Sequence, residues 1–134
     1  MLSASVDIRV RYKETDKMGV VYHANYFTWF EIARIELLDQ LGFPYKQLER
    51  NDFFLPVLSC EASFHSPAFF DDRLQVQVEI KKIPTVRIFA EYTVRRNTDS
   101  IASGYTKHAF VSGEGRVLRP PPEFLKSVRK KFEK

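Results

Sequence analysis

Asp16 stands in the run Tyr12-Lys-Glu-Thr-Asp-Lys-Met-Gly-Val-Val-Tyr-His-Ala-Asn-Tyr26, between an alternating strand pattern and an unusually apolar helix pattern. A carboxylate on a short loop just ahead of a helix faces the positive end of that helix's dipole. Backbone N–H groups left unpaired at a helix start can hold a developing oxyanion. A base or nucleophile beside oxyanion donors is a minimal kit for attacking an activated carbonyl. Asp is also a common turn residue, and spacing alone leaves that reading open.

The neighbours of Asp16 divide into helpers and framework. Gly19 relieves a tight backbone and lets a substrate approach. Asn25 reads as the N-cap of the following helix and so orients the loop. Glu31, on the sparse polar side of that helix, requires a partner if buried, and Arg34 three residues on is within reach. The alternative for Glu31 is a second active-site carboxylate. Asp71 and Asp72 read as a turn. His65 and His108 have no pattern beside them and default to packing or strand surface. Cys60 shares a strand face with Leu58, Ala62 and Phe64, so a buried, inert thiol is expected.

The elements that position these groups follow from periodicity. Val6, Ile8, Val10 and Tyr12 alternate with Asp7, Arg9, Arg11 and Lys13 as a half-buried strand over 6–13. Thr15–Gly19 reads as a loop. A helix is expected from about Asn25 to Leu41, stopped by Gly42 and Pro44. Its apolar positions cover more than one stripe, which marks a helix embedded in the protein. A helical turn follows over Tyr45–Arg50. Four strand patterns then run through Leu58–Phe64, Leu74–Ile80, Val86–Val94 and Ile101–Val111, separated by short Pro-, Asn- and Gly-containing turns. Short links imply antiparallel pairing. After Pro120, Pro121 and Pro122, the residues Phe124, Leu125, Val128 and Phe132 mark an amphipathic helix over about 121–133. The order is α+β: one antiparallel sheet wrapped on one helix, in a single domain over 1–134.

Bulk properties narrow the classes. A chain of 134 residues can bury a core without staples. Twelve Phe and six Tyr suggest a core of large rings or a groove lined with them, with Phe27, Trp29, Phe30, Phe53 and Phe54 as the candidates. One cysteine excludes an internal disulfide and a cysteine metal pair, and favours a reducing, cytoplasmic setting. The N-terminal stretch has neither a basic run nor an apolar h-region, so no signal peptide is expected. Charges interrupt every apolar run, so no membrane span is expected. The net charge of +4 is a property of the tail: residues 116–134 hold seven Lys/Arg against two acidic residues, leaving 14 against 15 elsewhere. That argues against a nucleic-acid partner and for a solvated helix or a contact to a polyanion such as coenzyme phosphates. There is no Gly-x-Ser-x-Gly elbow, phosphate-binding glycine loop or cluster of zinc ligands, which disfavours serine- and metallohydrolase chemistry. No metal and no cofactor are expected.

The run Asp16-Lys-Met-Gly-Val-Val-Tyr-His-Ala-Asn-Tyr26, followed by Glu31-Ile-Ala-Arg34, Glu36 and Phe70-Asp-Asp72, resembles the hotdog-fold thioesterases. It is most similar to the acyl-CoA thioesterases of the 4-hydroxybenzoyl-CoA and Tol-Pal-associated group. The resemblance spans nearly the whole chain and implies a curved five-stranded antiparallel sheet around a long central helix. It implies acyl-CoA substrates, with carrier-protein-bound acyl groups as a further option. It implies homodimers or homotetramers with active sites between subunits. In such families the residue matching Asp16 is the catalytic carboxylate, and the amide of the residue matching His23 polarises the thioester carbonyl. Tyr22, within the same run, counts with Gly19, Asn25 and Glu31 as supporting. An imidazole role for His23 is left open, as is attack by Asp16 itself versus attack by a water it deprotonates. One departure stands out: the turn at Ile83-Pro84-Thr85-Val86 lacks the basic cluster that some relatives use for coenzyme phosphates. Rival readings are a hydratase or dehydratase on acyl thioesters and a scaffold that binds thioesters without turnover.

Overall fold

The computed structural model describes residues 1–133. Strand β1 (Leu2–Arg9) is followed by a 3-10 turn (Tyr12–Glu14), helix α1 (Asn25–Gln40) and the short helix α2 (Tyr45–Arg50). Strands β2 (Val57–Phe64), β3 (Arg73–Ile80), β4 (Arg87–Arg96) and β5 (Asp99–Ala109) follow, and α3 (Pro122–Phe132) closes the chain. The strands form one antiparallel sheet in the order β1-β3-β4-β5-β2, with β1 and β2 at its edges. This is the sheet-and-helix architecture that the resemblance implies.

The alternation in β1 has the expected phase but different limits. Leu2 and Ala4 extend the apolar face backwards, and the ladder ends at the Arg9–Arg73 pair because β3 begins there. Past that point Val10 bonds only to the Asp71–Asp72 link, and Tyr12 leaves the sheet for the 3-10 turn, 78% exposed. The strand expected over 6–13 is therefore corrected to 2–9.

Helix α1 buries Tyr26, Trp29, Phe30, Ala33, Leu37 and Leu38, mostly against β1 and β3. It ends as its sequence requires: Gly42 sits at φ +85°, its N–H bonds to Asp39 O, and the Phe43 N–H reaches Leu38 O. This pair of bonds satisfies the last carbonyls of the helix. Phe30 stacks on Tyr92 at 4.3 Å and lies over Gly104. A Cβ on Gly104 would collide with the Glu61 carbonyl and stand 2.9 Å from the Phe30 ring. The missing side chain thus lets the helix settle onto the sheet.

Two expectations fail here. Glu31 is exposed and pairs with nothing among the described residues, because Arg34 instead reaches down to donate to the Tyr92 hydroxyl at 3.0 Å. Cys60 is exposed rather than buried. Cys60, Ala62 and Phe64 do share a face, opposite Thr106, Gly104 and Ala102, but a register shift between Val57 and Ser59 takes Leu58 out of the alternation. However, β2 is an edge strand reaching beyond the cover of α1, and Leu58 and Phe64 are bared with it.

Helix α3 lays Phe124 and Val128 inward, with Phe124 edge-on to Phe43 and Phe110. Its Lys126, Arg129, Lys130 and Lys131 are all exposed, as a solvated basic face should be. Asp71 and Asp72 form the expected turn, Asp71 at φ +71° beside Arg9 and Asp72 paired with Arg96 at 2.7 Å. Among the described residues no helix is long and apolar enough to cross a membrane.

A polar chain crosses the core. Arg34 donates to Tyr92, whose hydroxyl lies 2.6 Å from Thr106 Oγ1, which lies 2.8 Å from His108 Nε2. His108 Nδ1 stands 3.2 Å from Leu55 O. Arg34 can only donate and the Leu55 carbonyl can only accept, so one proton order satisfies every link with a neutral His108 protonated at Nδ1. Burial, then the charge of Arg34, push the His108 pKa down to about 4, outweighing the Leu55 and Pro56 carbonyls that pull it up. The unfolded chain takes up this proton near pH 6.5 and the folded chain only near 4, so stability is complete above 6.5 and declines as pH falls between the two values. The decline attributable to His108 should reach about 3 kcal/mol. Urea titrations from pH 7 to 4 should show it in the wild type and lose that component in His108→Gln; identical pH slopes in the two proteins would contradict it.

Candidate active site

The Asp16 segment is a miniature hairpin. Asp16 N–H bonds to Val20 O, Tyr22 N–H bonds to Glu14 O, both at 2.9 Å, and Thr15 pairs with Val21 across the middle. The tip is a turn closed by Gly19 N–H to Asp16 O, with Gly19 at φ +79°, a conformation that favours glycine. Asp16 Oδ1 accepts the Met18 N–H at 2.9 Å. The turn-residue reading of Asp16 is therefore true of one carboxylate oxygen. The other has no partner among the described residues. The second limb is strapped to the link after β2, through Val21 N–H to Ala68 O and the Val20–Phe69 bridge.

At the head of α1 the structure corrects the role of Asn25. The cap position belongs to Ala24, and Asn25 is the first helical residue. No side-chain cap is needed, because the N–H groups of Asn25, Tyr26 and Phe27 bond to the carbonyls of Tyr22, His23 and Ala24. The Asn25 amide is free to reach back and donate to Glu14 O at 2.8 Å, so it does orient the loop, by a different bond. The N–H groups of His23 and Ala24 make no bond among the described residues. They lie at the positive end of the helix, where an oxyanion is stabilised.

The His23 ring is exposed, packs on Tyr22 at 4.5 Å and approaches Phe64 at 6.3 Å. Its imidazole makes no hydrogen bond among the described residues. Tyr22 is half exposed beside it. His23, Val20, Tyr26, Phe64 and Pro67 border an open cleft of about 270 Å³. A larger groove, about 980 Å³, lies between β1 and α1 and is lined in part by Glu14, Asn25 and Trp29; Asp16 lines neither space, and His23 lines only the smaller.

Asp16, Gly19, Tyr22, His23 and Asn25 thus fall on one hairpin and the helix start it leads into. Glu31 points elsewhere. Of the aromatic candidates, Trp29 and Phe30 are core, and Phe27 and Phe53 are half-buried against Phe30 and Phe110. Sequence reasoning missed Phe64 as a cleft wall, which reaches the cleft only in the folded sheet, and Glu14 as a contact hub, although its partners lie no more than 15 residues away. His65 is exposed and bonds Ser103 at 2.9 Å, a strand-surface role. Among the described residues no group of His, Cys, Asp and Glu could hold a metal ion.

Known proteins share this fold. The family model described as the thioesterase-like superfamily matches residues 10–131. The acyl-CoA thioesterase YbgC of Haemophilus influenzae is 34% identical over 129 residues, covering 96% of this chain and 93% of that protein. The crystal structure of a DHNA-CoA thioesterase from Staphylococcus aureus superposes with a TM-score of 0.93 at 28% identity, covering 99% of this chain and 93% of that one. A hypothetical protein from Thermus thermophilus gives a TM-score of 0.90 at 31% identity, covering 95% and 98%.

Proposed function

The chain belongs to the thioesterase-like superfamily, and on that premise we propose that it hydrolyses an acyl-CoA thioester to the free acid and coenzyme A. The observation that carries the reading is the Asp16 carboxylate, with one oxygen fixed by the Met18 N–H and the other unpartnered, on a hairpin that runs directly into the free N–H groups of His23 and Ala24. Relatives named as acyl-CoA thioesterases support it.

In this reading the thioester carbonyl rests against the His23 N–H, and the helix end stabilises the negative charge that grows on its oxygen. The unpartnered Asp16 oxygen takes a proton from a water as that water adds to the carbonyl carbon. Collapse of the tetrahedral intermediate breaks the C–S bond and releases the coenzyme thiolate, which then takes up a proton. Direct attack by Asp16 through a mixed anhydride uses the same geometry. Tyr22 and Gly19 shape the approach. A thioester on an acyl carrier protein presents the same bond and would meet the same groups. The exposed thiol of Cys60 suits a reducing, cytoplasmic setting.

We further infer a homodimer. Edge strand β2 presents an unpaired backbone edge and bares Val57, Leu58 and Phe64, and Phe64 borders the cleft. Pairing two β2 edges would cover this surface and place a second protomer beside His23. The ring pair of Phe89 and Tyr105, with Lys107 5.8 Å from each, forms a second sticky surface on which dimers could join into a tetramer.

Asp16→Asn preserves the acceptor for the Met18 N–H but removes the base, so turnover should fall by roughly 10²–10⁴ while thermal unfolding stays near wild type. A thiol-release assay across an acyl-CoA panel checks this, and an undiminished rate would remove Asp16 from the reaction. Sedimentation should find dimers or tetramers at micromolar protein; a monomer that still turns over would refute a site shared between subunits.

A further inference from the structure

Glu14 bonds both the returning limb of the hairpin and the head of α1. Its carboxylate accepts the Arg11 N–H at 2.7 Å through one oxygen and the Trp29 indole N–H at 3.0 Å through the other. Its backbone carbonyl accepts the Tyr22 N–H at 2.9 Å and the Asn25 side-chain amide at 2.8 Å. One residue therefore joins the exit of β1, the returning limb of the hairpin, the first residue of α1 and the second turn of α1. Asp16 stands two residues further along.

We propose that Glu14 is a positioning residue, which sets Asp16 against the His23 N–H by tying the hairpin to α1. The inference rests on the role proposed for Asp16. Trp29 is 1% exposed, so its N–H must find an acceptor inside the protein, and Glu14 is the one it has. Both donors point N–H groups at the carboxylate, so the site calls for two acceptor oxygens on one side chain. An ionised carboxylate supplies them; an amide supplies one and turns an NH₂ group against the other donor. The tie is thus specific for Glu over Gln, although the two have nearly the same shape. Asp would fall one carbon short of spanning Arg11 and Trp29.

The indole also connects the tie to the core. Trp29 packs edge-on to Tyr26 at 4.9 Å, and Tyr26 lies 5.2 Å from Phe64 on the cleft wall. Glu14 therefore sets the hairpin against the same helix face that supports the cleft. Positional errors of an ångström at a reacting pair cost about 10²-fold in rate. A loosened tie should reach the chemistry without changing any group that touches substrate.

The test uses the full-length protein. Glu14→Gln should lower kcat for acyl-CoA hydrolysis by roughly 10²-fold and leave KM within about twofold, because Glu14 does not line the cleft beside His23 while the reacting geometry is loosened. Backbone amide exchange should quicken over residues 15–23 and stay unchanged in β3, β4 and β5. Trp29→Phe, which deletes the donor and keeps an aromatic ring, should produce part of the same kcat loss. Adding Glu14→Gln to Trp29→Phe should then cost much less than it does alone, the non-additivity expected of partners in one bond. Wild-type kcat and wild-type exchange in Glu14→Gln would overturn the inference, as would a rise in KM at constant kcat. Should Glu14→Gln fail to fold, Trp29→Phe decides: quickened exchange in the hairpin supports the tie, and unchanged exchange overturns it. A wild type that releases no thiol from any acyl-CoA would defeat the proposed reaction, and the exchange measurement would still decide the part played by Glu14.

Discussion

A carboxylate and a backbone amide can act on one carbonyl only if their separation is fixed, and in the proposed site hairpin register would fix it. Three pairings, Glu14 with Tyr22, Thr15 with Val21 and Asp16 with Val20, determine where the Asp16 side chain emerges relative to His23. A slip of one residue would turn Asp16 to the opposite face of the hairpin. The register is secured from outside as well, by the strap to Ala68 and Phe69 on one limb and by the Asn25 and Trp29 contacts to Glu14 on the other.

Two parts of the larger fold anchor that hairpin. Helix α1 is the first anchor, clamped to the sheet by Phe30 over Gly104 and by the Arg34-to-His108 chain beneath it. The second is the link between β2 and β3, pinned by Asp72 to Arg96 and by Asp71 to Arg9. The exposed Arg9–Asp71 pair adds little stability in water. Its value lies in geometry, since it closes the end of β1 from which the hairpin departs.

Most of the element order was legible because it follows from local pattern. Alternation gives the strands, and the Gly42 stop is encoded by a residue able to adopt a positive φ. What was not legible depends on contacts far apart in sequence. The limits of β1 are set by where β3 begins, 64 positions beyond Arg9. Cys60 was misread because alternation assigns a face but says nothing of whether an edge strand lies under the helix. Asn25 has the chemistry of a cap, yet the turn ahead of it satisfies the same N–H groups with carbonyls. Glu31 and Arg34 have pairing distance along the helix, but the phenol of Tyr92, 58 residues away, holds Arg34. In the candidate site, the hairpin run could be read from its residue types, whereas Glu14 and Phe64 gain their places only once the chain is folded.

The central claim is spatial: a thioester carbonyl is to sit between the Asp16 side chain and the His23 amide. The most direct measurement is a crystal structure of the Asp16→Asn protein with an acyl-CoA analogue in which a methylene replaces the thioester sulfur. The account predicts the ketone oxygen about 3 Å from the His23 nitrogen, and the residue-16 side chain next to the carbonyl carbon, directly or through one water. A ligand whose carbonyl binds away from the head of α1, in the groove between β1 and α1 or elsewhere, would contradict it.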